Sequence, residues 1–355
     1  MSMNKQTLFR SWVCALCTLL ACTAISQTAP WPALPSPRLP SSAEGPIELR
    51  VAHVINPRLP RMSDAQIALM LDQMVRSTQE HFGLRVKFAV PVEIPIATVF
   101  ASIPPKFSTQ AQRLTYNPQS LSQRRSSLHE AFAKGLAGSG EPLAAQGAFA
   151  QQHAPDVDAS SFDQLGKTLA NLQLAIIKRW SERKALDGNS VIDDSRFHEF
   201  LQWNHLGYGK LPYELVITNQ IIASVEYALP SVHSAIRGGY TNGITSYNPL
   251  AKFGTYSAWS TYAFTDNDAD WLKWRAGESY SPDEAARLAG MAAVHELGHQ
   301  LLHLLHPFGQ KGCIMEPVPM FAYRAWSQEL SAKDCALGSS RAMTPGSYTF
   351  RYLPP

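Results

Sequence analysis

Residues 281–306 read SPDEAARLAGMAAVHELGHQLLHLLH, and this stretch decides how the rest of the chain is read. Ser281 supplies a helix N-cap, Pro282 suits the first helical position, and Glu284 stands where a capping box wants a glutamate. Ala285, Leu288, Met291, Ala292 and His295 continue at helical spacing, so one helix is predicted. On it lies His295-Glu296-Leu297-Gly298-His299, an HExxH motif. Side chains four apart on a helix share a face, with roughly 5–6 Å between Cβ atoms. Two imidazoles can therefore converge on one zinc ion at about 2.0–2.1 Å each. Glu296 follows the first ligand and projects toward a water held by such an ion, where it can accept a proton as general base.

A catalytic zinc keeps three protein ligands and an open position, whereas a structural zinc closes with a fourth. The third ligand must come from the residues after His299. On a continuing helix His303 would lie about 12 Å along the axis from His295, too far to share an ion with both histidines. His306 precedes Pro307, and a chain leaving the helix just before it can fold back to the metal. His306 is the favoured third ligand, with Glu316 and Glu329 as alternatives. His303 is read as a polar residue outside the set.

Further on stand Gly312-Cys313-Ile314-Met315-Glu316-Pro317 and then WSQELSAKD over Trp326 to Asp334. The HExxH helix, the Cys-x-Met turn and a helix after it resemble the metzincin clan of zinc metallopeptidases. The likeness is nearest to archaemetzincin-like members and runs from Ser281 to Cys335. Two departures stand out: Leu302 replaces the clan's glycine, and the third histidine comes one residue late, at 306. The resemblance implies a mixed, mostly parallel sheet, an active-site helix, Met315 as the Met-turn methionine beneath the metal, and a C-terminal helix. It further implies peptide-bond hydrolysis of a peptide or protein substrate, with Glu296 passing its proton to the leaving amine. An edge strand above the cleft would pair with the substrate; Gly239 to Asn248 and Ala258 to Phe264 are the candidates. The chain has too few cysteines for the second metal site of archaemetzincins, so a single Zn²⁺ is expected. Two other readings stay open: an exported binding lipoprotein with a non-catalytic zinc site, and a gluzincin-like peptidase with a glutamate third ligand.

Upstream, Ile47 to Ile55 (IELRVAHVI) reads as a strand, Ser63 as the N-cap of a helix burying Ile67, Met70, Leu71, Met74 and Val75, and Gly83 as its C-cap. Leu84 to Ile96 is a second strand broken by Pro91 and Pro95. This strand–helix–strand order predicts an α/β (α+β) layer. A helical insertion is expected at about 118–205, divided at Gly138-Ser139-Gly140. His129, His153, His198 and His205 are scattered through it without ligand spacing. Strands return at Glu214 to Asn219, near Ile221 to Tyr227, at Ile244 to Tyr247 and at Ala258 to Phe264.

The chain has 355 residues, 45% hydrophobic and 17% charged, with a net charge of +3, which excludes a disordered polymer and offers no basic surface for nucleic acid. Residues 1–26 read as a signal peptide, with Lys5 and Arg10 ahead of an apolar run. Leu19-Leu20-Ala21-Cys22 also resembles a lipobox, so the signal could end at residue 21 with a lipid anchor on Cys22, the one membrane attachment expected. A Pro-rich spacer covers 27–45, and a single domain covers 46–355. Export to an oxidising compartment leaves Cys313 and Cys335 as the mature cysteines, either paired in a disulfide or two unrelated buried thiols. The oligomeric state is not read from the sequence.

Overall fold

The computed structural model describes residues 45–107, 125–139, 142–192, 197–223, 232–238, 240–246, 256–265, 277–302, 312–316 and 322–333, together with 272, 275, 304 and 318. The expected signal peptide, the spacer as far as residue 44, His303, His306 and Cys335 lie outside them. The run expected as one strand is two: β1 (Ile47–Leu49) and β2 (Val51–Ile55). Arg50 divides them, because its backbone N–H donates to Glu214 Oε2 at 2.7 Å and its guanidinium pairs with the same carboxylate. Helix α1 (Asp64–Phe82) opens with the Ser63–Gln66 capping box and closes at Gly83, whose φ of 67° is left-handed. The second expected strand also divides, into β3 (Val86–Phe88) and β4 (Val92–Pro95). Strand β1 pairs with β3, and β2 with β4, both parallel. Pro95 ends β4 and starts α2 (Ile96–Ala101), a place where a missing amide does little harm on an edge strand.

The helical insertion contains α3 (Arg125–Gly138), α4 (Leu143–His153) and α5 (Phe162–Glu182), with the divide at Gly138 as read from the sequence. Its own core gathers Leu128, Phe132, Leu136, Leu165, Leu169 and Ile177. Trp180 stacks on Tyr240 at 4.8 Å and ties it to the main core. Short α6 (Phe200–Asn204) follows.

Strands β5 (Leu215–Thr218), β6 (Ile222–Ala223), β7 (Tyr240–Thr241), β8 (Gly243–Ser246) and β9 (Tyr256–Ser260) alternate with α7 (Val232–Arg237) and α8 (Tyr262–Thr265). The main sheet runs β4-β2-β5-β9-β8, parallel throughout except for β8, which lies antiparallel to β9 at the edge. The strand expected over 258–264 starts earlier and stops at Ser260. There the Thr261 N–H reaches back to Thr218 O at 2.7 Å and the Ser260 hydroxyl accepts from the Tyr262 N–H, which starts α8.

Helix α9 (Pro282–Leu302) packs between α1 and the sheet, and Gly290 is where it meets α1: a Cβ there would collide with Met70 O. It is buried on almost every side, the signature of a core helix rather than a surface one. Ser281 caps it, but Glu284 does not close the expected capping box. Its carboxylate instead receives Arg324, Nε to Oε1 at 2.6 Å and Nη2 to Oε2 at 2.9 Å. Arg324 belongs to α10 (Tyr323–Glu329), which lies earlier than the expected 326–334. That helix ends at Glu329 because the Ser331 N–H pairs with Gly312 O at 2.9 Å and draws the chain aside. Among the described residues no helix is long and apolar enough to cross a membrane.

Candidate metal centre

The last turns of α9 carry His295, Glu296 and His299, exposed by only 2%, 7% and 9%. Helical spacing brings the two rings together, 4.6 Å between centroids and nearly perpendicular. His295 Nδ1 lies 2.9 Å from Ile314 O, and His299 Nδ1 lies 2.6 Å from Leu304 O. A carbonyl oxygen only accepts, so each Nδ1 carries the proton and each Nε2 is left with its lone pair. Those two Nε2 atoms face one another at 3.0 Å. Two lone pairs at that distance repel unless a proton or a cation sits between them. Tetrahedral coordination at about 2.0–2.1 Å would hold the nitrogens roughly 3.3 Å apart, so the pair fits a metal ion with little adjustment. Locking Nδ1 on a carbonyl is also how ligand histidines are oriented in metal sites.

The carbonyl of Ile314 comes from a turn closed by the Glu316 N–H on Cys313 O at 2.9 Å, entered through Gly312 at a φ of 89°. Met315 is fully buried in this turn and rests against α9 at Gly298. A Cβ on Gly298 would collide with Met315 Sδ and lie 2.8 Å from Phe82 Cζ, so the glycine inside the motif is what lets the turn pass under the histidines. Glu316 is buried there as well. Glu329 is exposed on α10, which argues against it as a ligand.

Glu296 points to the sheet edge. The Thr245 hydroxyl lies 2.7 Å from Glu296 Oε2, and a Cβ on Gly243 would meet the same carboxylate. Strand β8 therefore both borders the site and holds the expected general base. Of the two candidate substrate strands, β9 is excluded because β5 and β8 pair on its two sides; β8 stands at the edge. The helix ends at Leu302, ahead of His306 in sequence. The Leu304 N–H reaches Gly298 O at 3.2 Å while its carbonyl holds His299.

The three motif residues and Met315 lie close together, and Thr245, Gly243 and the two carbonyls join them as neighbours that the sequence does not single out. An isolated glycine in a helical pattern was the available sign of the close approach at Gly298; nothing local marked Thr245. Cys313 is buried in the turn, and its expected disulfide partner Cys335 lies outside the described residues. Three of the scattered histidines have neighbours within the insertion and its flank: His129 bonds Asn171 at 3.1 Å, His198 lies beside Glu199, and His205 packs against the Phe107 ring. No family model, no curated protein and no solved structure matches the chain.

Proposed function

We propose that this chain is an exported, zinc-dependent metallopeptidase with a metzincin-like arrangement. The observation that carries the reading is the pair of Nε2 lone pairs aimed at one point, each ring fixed by a backbone carbonyl, with Glu296 beside them. His295 and His299 would hold the zinc together with His306, the third ligand expected from the sequence. Bound there, zinc supplies Lewis acidity, acidifying a water and polarising a carbonyl. Glu296 takes the proton from that water. Thr245 engages Oε2, which leaves Oε1 as the basic oxygen, and the acid so formed can deliver the proton to the leaving amine. Strand β8, antiparallel at the sheet edge, suits pairing with an extended peptide. The Cys313–Glu316 turn with buried Met315, and α10 after it, support the likeness to the clan.

The test uses purified full-length protein: zinc content, and digestion of a generic unfolded protein with and without chelator. Glu296→Gln should keep zinc and lose turnover; undiminished proteolysis by that variant refutes the assignment. A second reading takes Glu316 as third ligand, favoured by its burial in the turn that also holds His295. Metal content of His306→Ala against Glu316→Ala separates the two.

A further inference from the structure

We propose a second divalent-cation site, formed by His53, Asp64 and Glu93 and sharing no residue with the HExxH centre. His53 of β2 and Glu93 of β4 are register partners on neighbouring parallel strands, so their side chains leave the same face of the sheet. Asp64 opens α1 above that face. A ring nitrogen of His53 and one carboxylate oxygen from each acid lie within 4.8 Å of one another. His53 is 3% exposed, and its buried Nε2 has no hydrogen-bond partner. Buried polar atoms are almost always satisfied, by protein, water or an ion, so this nitrogen asks for a ligand.

The charges agree. Arg61 Nη1 engages Glu93 Oε2 at 2.9 Å, which leaves Oε1 for the ligand set. Two carboxylates against one guanidinium leave the cluster anionic. Burial, helped by Arg61, lowers the pKa of His53 against the opposing pull of Glu93 and Asp64, so the ring is neutral and keeps a lone pair to donate. Imidazole with two carboxylates suits Zn²⁺ or Mn²⁺, with water completing the shell; Ca²⁺ prefers oxygen ligands alone. Asp64 and Glu93 are exposed, so the ion can enter from solvent and the carboxylates can close on it. Such an ion would clamp edge strand β4 and β2 to the start of α1, adding a second cation to the one expected from the sequence.

The test is calorimetric titration of the metal-stripped full chain with Zn²⁺ and, separately, Mn²⁺. Four proteins are compared: wild type, Asp64→Asn/Glu93→Gln, His295→Ala/His299→Ala and the variant that combines all four substitutions. The acidic pair is exposed, so its replacement leaves the core intact, as circular dichroism should show. Wild type should take two equivalents of Zn²⁺, and the Asp64→Asn/Glu93→Gln variant should lose one or bind it at least tenfold more weakly. In the His295→Ala/His299→Ala background, Zn²⁺ should still raise the thermal midpoint, and adding the two acidic substitutions should remove that shift. If Asp64→Asn/Glu93→Gln binds as many ions as wild type at unchanged affinity, the proposal is overturned and a water satisfies His53. Loss of binding at the HExxH pair alone would sink the peptidase reading and leave this site standing.

Discussion

Helices α5 and α9 each run 21 residues, yet they meet their surroundings in opposite ways. Helix α5 is amphipathic, with Leu165, Leu169 and Ile177 inward and Lys167, Lys178 and Glu182 toward water. Helix α9 has almost no wet face, so every polar group in its second half needs a partner from the protein. His295 has Ile314 O, His299 has Leu304 O, Glu296 has Thr245, and Gln300 donates to Glu214 O at 2.9 Å. Burying polar groups costs free energy unless they are paired. A buried helix that keeps two histidines and a glutamate is therefore organised around chemistry, while α5 is organised around packing.

Substitutions in the two helices test that contrast. The largest effect belongs to Glu296→Gln: kcat/KM on an unfolded protein substrate should fall roughly 10²–10⁴-fold, the usual worth of a general base, with zinc content unchanged. In α5, Leu169→Ala should cost about 2–5 kcal/mol in denaturant unfolding, yet leave zinc per folded chain as it was. If that substitution released zinc, the two helices would not be independent in role. Gly298→Ala should cost about 1–3 kcal/mol by overpacking against Met315 and Phe82, and should weaken zinc binding by displacing the turn under His295. Gly166→Ala, a comparably tight site in α5 against Ala133, should lose similar stability and leave zinc affinity untouched.

The solvent-facing start of α9 gives a smaller, pH-dependent effect. Hydrogen bonding from Arg324 holds the Glu284 carboxyl below its ordinary value of 4.5. A depressed folded pKa contributes stability above the unfolded value, and that contribution is lost as pH falls through the folded one. Because the pair is about one-third exposed, at most about 1 kcal/mol is expected. The thermal midpoint of Arg324→Gln should lie below wild type at neutral pH, and the gap should narrow as pH falls below the ordinary carboxylate value of 4.5. The smallest effect is Lys178→Ala, which removes an exposed i,i+4 pair with Glu182 on α5; a change within about 0.5 kcal/mol is expected.

The cap at Ser63, the stop at Gly83, the divide at Gly138 and the start at Ser281 were all legible, because each is a contact or conformation spanning a few residues. The single strand expected over Ile47 to Ile55 was not, since its division depends on Glu214, 164 residues from Arg50. The ends of β9 and α10 went astray likewise, one reset by Thr218 and the other by Gly312. His53 is a lone histidine in a strand as far as the sequence goes, because its neighbours Glu93 and Asp64 come from another strand and a helix start.

Sequence alone determined that His295, Glu296 and His299 share one helical turn, because a period of 3.6 residues is a local property of the backbone. Tertiary structure decided which carbonyls hold the rings, that Glu296 lies against β8, and where the helix ends. Those partners are 19 residues away for His295 and 51 for Glu296, and they meet only through sheet register and the packing of a turn beneath a glycine.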